Sequence, residues 1–217
     1  MSRQAKISLA LVGVFALVLT SMLALTGMSQ DPEPERVSSG ESRLVRDDSR
    51  ILGERADTGV TFVEFLDFEC EGCRAAYPAV EQLRKDYAGR VTFVARYFPL
   101  GGHFNGERAA RAVEAAAQQG KFEEMYSKMF ETQAKWGEQR KPLDDLFASY
   151  AEDLGLDMKQ FKADYEDPAT AKRIQKDIAD GRALGVQGTP TFFVDGKQLQ
   201  PKTYGDLTDA LDAALAK

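Results

Sequence analysis

Both cysteines of the chain lie in one tetrapeptide, Cys70-Glu71-Gly72-Cys73. Two thiols at this spacing can close a small disulfide and reopen it, which moves two electrons between partners. The reacting species is the thiolate, and the N-terminus of a helix stabilises it. The residues on either side predict such a helix. Val60-Thr61-Phe62-Val63-Glu64-Phe65-Leu66 has the β-branched and aromatic content of a strand, and Cys73 to Ala88 reads as a helix stopped by Gly89. Cys70 then stands at a strand-to-helix junction as the exposed attacking thiol. Cys73, one turn inside the helix, would resolve the mixed disulfide. A zinc site is not supported, because His103 is the sole histidine and no other cysteine exists. A purely structural bridge across so short a loop does little for stability, since that effect grows with loop length.

Two further positions bear on this chemistry. Glu64 lies six residues before Cys70 in an otherwise apolar strand. An even separation places both on one face, toward the layer that carries the Cys73 helix. A buried carboxyl there has a raised pKa and can exchange a proton with the resolving thiol. Gly188-Thr189-Pro190-Thr191 opens a later strand. Pro190 reads either as an ordinary edge residue or as a cis-proline that turns the Thr189 backbone toward the thiols, where a substrate peptide could pair with it. His103 reads as loop or helix-start structure, and Trp136 as a core or groove aromatic.

The elements that must position these groups are legible in outline. Val91–Phe98 is a second strand, completing a βαβ unit. From about 101 to 184 nearly everything is helical: Glu107–Gln119, Phe122–Gln133, Leu143–Leu154, Met158–Tyr165, and a helix opened by Asp167-Pro168 that runs to Leu184. Strands return at Thr191–Val194 and Gln198–Gln200 around an Asp195-Gly196 turn, and Gly205–Leu215 is a terminal helix. The fold class is α/β: βαβ, a helical block, then ββα.

The N-terminus stands apart. Ile7 to Met28 carries no charge and is long enough to cross a bilayer. Arg3 and Lys6 before it predict a cytoplasmic tail over 1–6 and an exported remainder. Residues 7–28 are thus expected to be a transmembrane signal-anchor, with a cleaved signal peptide as the alternative. Residues 29–40, with Asp-Pro-Glu-Pro-Glu and Ser-Ser-Gly, read as a linker, and the domain occupies 41–217. A single-pass protein with its domain outside the cytoplasm works under oxidising conditions. The chain of 217 residues has 43% hydrophobic and 29% charged residues and a net charge of −6. That composition is globular and lacks the basic footprint of nucleic-acid binding.

The stretch from Val60 to Cys73 resembles the active-site strand and loop of thioredoxin-fold proteins. The helical insertion before Gly-Thr-Pro-Thr-Phe resembles the DsbA-like branch of bacterial envelope thiol-disulfide oxidoreductases, as do Arg96-Tyr97-Phe98-Pro99-Leu100 and His103-Phe104-Asn105. The resemblance implies a thioredoxin fold with a helical insertion, with Cys70 as nucleophile, Cys73 as resolving thiol, Glu64 as buried acid, Pro190 as cis-proline and Pro78 as the proline that kinks the active-site helix. It implies no metal and no cofactor. Partners would be exported, unfolded or partly folded proteins with cysteines, and a membrane redox partner. Strong oxidants of this branch carry Pro-His between the cysteines where Glu71-Gly72 stand here. Glu69 and Glu71 are expected to oppose thiolate formation, and Gly72 to loosen the helix start, giving a milder oxidant. The rival readings are a reductase or isomerase kept reduced by a membrane donor, and a redox-inert chaperone or interaction module.

Overall fold

A computed structural model describes residues 43–217. The expected tail, anchor and linker (1–6, 7–28 and 29–40) lie outside the described residues. No helix among the described residues is long and apolar enough to cross a membrane.

The chain runs β1 (Arg50–Leu52), β2 (Thr61–Leu66), α1 (Glu71–Asp86), β3 (Thr92–Tyr97), α2 (Gly106–Gln118), α3 (Phe122–Trp136), α4 (Asp144–Asp153), α5 (Met158–Glu166), α6 (Pro168–Ala183), β4 (Thr191–Val194), β5 (Lys197–Leu199) and α7 (Tyr204–Leu215). The five strands form one sheet in the order β1-β3-β2-β4-β5. β2 and β3 are parallel across α1, while β4 pairs antiparallel with both β2 and β5. Asp195 and Gly196, with φ of 46° and 82°, make the tight turn between β4 and β5. This is a thioredoxin-like fold with a helical insertion, α2 to α6, between its two halves.

Strands β2, β3 and β4 are buried and mostly apolar on both faces because helices cover them. Phe62 packs between Phe93 and Phe192, at centroid distances of 5.3 and 5.5 Å. The insertion gathers around α2, which touches α3, α4, α5 and α6. Its buried alanines (109, 110, 112, 115 and 116) let those neighbours come close without leaving gaps. On α6, Gly181 serves the same end: a Cβ there would lie 2.8 Å from two ring carbons of Phe98 and 3.0 Å from Phe65.

One polar network crosses the core. Arg96, fully buried in β3, donates to Asp177 and Asp180 of α6 at 2.7 Å each, and to the carbonyls of Arg43 and Leu44 at 2.7 and 2.6 Å. Arg46 also binds Asp180, Arg173 binds Asp177, and Arg50 of β1 binds Glu114 of α2. β1 is absent from the strand expectations. Three residues with an arginine at the start have no readable periodicity, and the pairing with β3 that makes them a strand is tertiary.

Candidate active site

The thiols stand where β2 ends and α1 begins. Cys70 is the N-cap of α1, with an extended backbone, and Glu71 is the first helical residue. α1 thus starts two residues earlier than expected, which carries Cys73 deeper into its first turn. Cys73 has no exposed surface, and Cys70 keeps only 8% of its own. The expectation of an exposed Cys70 is therefore corrected: the fold leaves it a small opening, because the cis-proline loop leans over it. The Thr189–Pro190 peptide is cis. The Cys70 thiol donates to the Thr189 carbonyl at 3.3 Å. A Cβ on Gly72 would sit 3.2 Å from Pro190 Cδ and 3.5 Å from Cys70 Sγ. Gly72 thus lets Pro190 approach the thiols, a packing role rather than a loosened helix start.

The two thiols, both reduced here, differ sharply in acidity. Cys70 is lowered to about 5, chiefly by the Cys73 thiol that bonds to it. Burial opposes the shift, and Thr189 and the N–H groups of Cys73 and Gly72 assist it. Cys73 is raised well above an ordinary thiol, first by burial, then by its bond to Cys70 and the charge of Glu64. Asp67 N–H donates to Cys73 Sγ at 3.5 Å. Glu64, 2% exposed in β2, is raised to about 8 by burial, and next by the Cys70 and Glu81 charges. One of its carboxyl oxygens is buried without a hydrogen-bond partner. Such a carboxyl keeps its proton at neutral pH and can give it to a stronger base, taking one back only once it is ionised.

The two flanking carboxylates stand in different surroundings. Glu69 is 1% exposed and accepts the Asn105 N–H at 2.6 Å, and burial raises its pKa. Glu71 is exposed to water, where its charge is screened.

Three groups were not singled out as site residues, and the fold brings them here. Asp67, 2% exposed, accepts the N–H groups of Glu69 and Leu100 at 2.9 and 2.8 Å. Its carbonyl accepts the Cys70 N–H at 3.1 Å. His103 Nδ1 lies 2.5 Å from the same carboxylate, which raises the imidazole to about 9. Gly106 is explained by this contact, since a Cβ there would lie 2.8 Å from Asp67 Oδ1. Gln133 of α3, 2% exposed, donates to the carbonyls of Phe68 and Cys70, both at 2.8 Å. A signal for the carboxylates existed: Glu64, Asp67 and Glu69 interrupt an apolar run, and buried charges need partners. No spacing in the sequence points to Gln133. Trp136 is fully buried against Phe147, as a core aromatic.

Comparison with known proteins agrees with this fold. A family model described as thioredoxin matches residues 46–213. The chain belongs to the thioredoxin family. Within that family, a thioredoxin-like oxidoreductase from Silicibacter pomeroyi DSS-3 is 32% identical with a TM-score of 0.66, and the match covers 78% of this chain and 93% of that one. Oxidised BdbD from Bacillus subtilis is 22% identical with a TM-score of 0.68 over 78% of this chain and 94% of that one, a likeness of fold. Among curated sequences, a Na(+)/H(+) antiporter NhaA from Herminiimonas arsenicoxydans is 39% identical over 144 residues, 66% of this chain. The chain spans only 22% of that relative's length, so the antiporter name describes a much longer protein.

Proposed function

We propose that the protein is an extracytoplasmic thiol-disulfide oxidoreductase that forms disulfides in exported proteins. The observation that carries this reading is the acidity split within one buried pair, with Cys70 lowered to about 5 and Cys73 raised. A stabilised Cys70 thiolate stabilises the reduced form, so the disulfide form is driven to oxidise others. This favours the oxidase direction over the reductase or isomerase.

In that direction a client thiolate attacks Cys70 Sγ of the Cys70–Cys73 disulfide. The client–Cys70 bond forms, the Cys70–Cys73 bond breaks, and Cys73 leaves as a thiolate. Its high proton affinity lets it take the Glu64 proton. A second client thiolate then attacks the client sulfur of the mixed disulfide and releases Cys70 as its stable thiolate. Thr189 and Pro190 would hold the client backbone beside Cys70. Residues 7–28 would anchor the protein as a single-pass span, with 29–40 as tether, 41–217 as the exported domain and a membrane redox partner to reoxidise the pair.

The test is trapping. Cys73→Ala should accumulate clients as mixed disulfides on Cys70, and Cys70→Ala should accumulate none. Mass spectrometry of the trapped clients should return exported proteins. Equal trapping by both variants would overturn the roles, and cytoplasmic clients would overturn the location.

A further inference from the structure

The helical insertion reaches the reactive thiol through one side chain. Residues 67–70 connect β2 to α1 without regular structure, so their carbonyls need partners from elsewhere. Two of them, Phe68 and Cys70, are served by the Gln133 amide, donating 2.8 Å to each from the last third of α3. Gln133 is 2% exposed and its two N–H groups match two acceptors, so the contact is saturated. The Cys70 carbonyl also accepts the Arg74 N–H at 3.1 Å, the first bond of α1. Gln133 therefore fixes the N-cap residue whose side chain is the reactive thiol.

We infer that Gln133 is a positioning residue for Cys70: by clamping the Phe68 and Cys70 carbonyls it holds the thiolate where Cys73 and the α1 N-terminus can stabilise it. Those stabilising bonds are directional and fall off steeply with misalignment. Losing both donors leaves two buried carbonyls unpaired, and the loop must move to find others. The charged and titratable groups around Cys70 are Cys73 from α1, Glu64 from β2 and His103 from the loop after β3, with Asp67, Glu69 and Glu71 on its own segment. None of them is replaced in a Gln133 variant, so a shift in Cys70 acidity reads its placement.

The inference rests on the proposed role of Cys70, and the test separates the two. In the reduced full-length chain, the pH dependence of Cys70 alkylation by iodoacetamide is read by mass spectrometry. Gln133→Met keeps the volume and removes both donors. Its midpoint should rise by about one unit, the tenfold loss of thiolate that one hydrogen bond's stabilisation gives. Gln133→Leu, which also lacks both donors and adds no titratable group, should rise by a similar amount. Met129→Ala is the control: Met129 is equally buried in α3 and is a core residue, so it should lose stability without moving the midpoint. Unmoved midpoints in both Gln133 variants, or an equal shift in Met129→Ala, overturn the inference. A wild-type midpoint near an ordinary thiol would instead overturn the thiolate reading of Cys70 itself.

Discussion

Glu64 holds its proton in the folded chain up to about pH 8, against a usual value of 4.5. The sign follows. Below pH 4.5 both states are protonated and the residue costs nothing through titration. Between 4.5 and 8 the unfolded chain releases the proton and the folded chain does not, so stability falls as pH rises, by up to about 1.4 kcal/mol per unit crossed. Glu64→Gln should flatten that slope and be the more stable protein at pH 7.5 in urea denaturation. The same variant should slow thiol exchange near neutral pH, because the amide can neither give nor take the proton of Cys73. A stopped-flow pH profile identical to wild type would remove Glu64 from the proposed relay. At this scale spacing and strand periodicity carry Cys70, Cys73 and Glu64, whereas they leave open the isomer of Pro190, which is cis. Adjacency in sequence does not tell Glu69 from Glu71: one is turned inward to Asn105 and the other faces water.

At the scale of elements, most helices and strands were legible to within two residues, because apolar periodicity and turn residues mark them. What periodicity does not carry is the distance of closest approach between elements. Gly181 in α6 is a case: nothing local requires glycine there, and the reason is the pair of rings from Phe98 and Phe65 pressed on its Cα. Gly181→Ala should cost about 1–3 kcal/mol by overpacking, despite the better helix propensity of alanine. Thermal unfolding checks this, and a raised midpoint would show that the two rings yield. Gly72 meets Pro190 in the same manner. A Pro-His pair in place of Glu71-Gly72 would therefore change the spacing of α1 from the cis-proline loop as well as the charge near Cys70.

For the whole domain, the Arg96 network is the connection between distant parts of the chain. It joins the segment at Arg43–Arg46, the middle of the sheet and the helix that ends the insertion. Arg96→Met should cost up to about 3–5 kcal/mol, since it leaves each of two buried carboxylates with a single arginine, Arg173 for Asp177 and Arg46 for Asp180, and takes the donor from the Arg43 and Leu44 carbonyls. Replacing Asp177 and Asp180 together with Arg96 by apolar residues takes the partners from Arg46 and Arg173 as well, so in urea denaturation the triple variant should be no more stable than Arg96→Met. Acid should act on the same network. Burial pushes Asp180 up, but the bonds from Arg46 and Arg96 outweigh it and hold its pKa below 3.8. Its contribution is present above about pH 4 and is lost as pH falls through the lowered value. Arg96 stands in an apolar strand whose sequence shows no partner, because its partners lie more than 50 residues away on either side.

The complete burial of Cys73 beside a slightly open Cys70 also bears on damage by peroxide. An oxidant from solution meets Cys70 alone and converts its thiolate to a sulfenic acid. Cys73 Sγ then attacks that sulfur, the S–O bond breaks, water leaves, and the product is the same Cys70–Cys73 disulfide that the proposed cycle uses. A second oxidation to sulfinic acid, which has no general repair, must outpace a neighbour already in contact. Enclosure of one thiol thus turns a chemical injury to the other into an ordinary charging event.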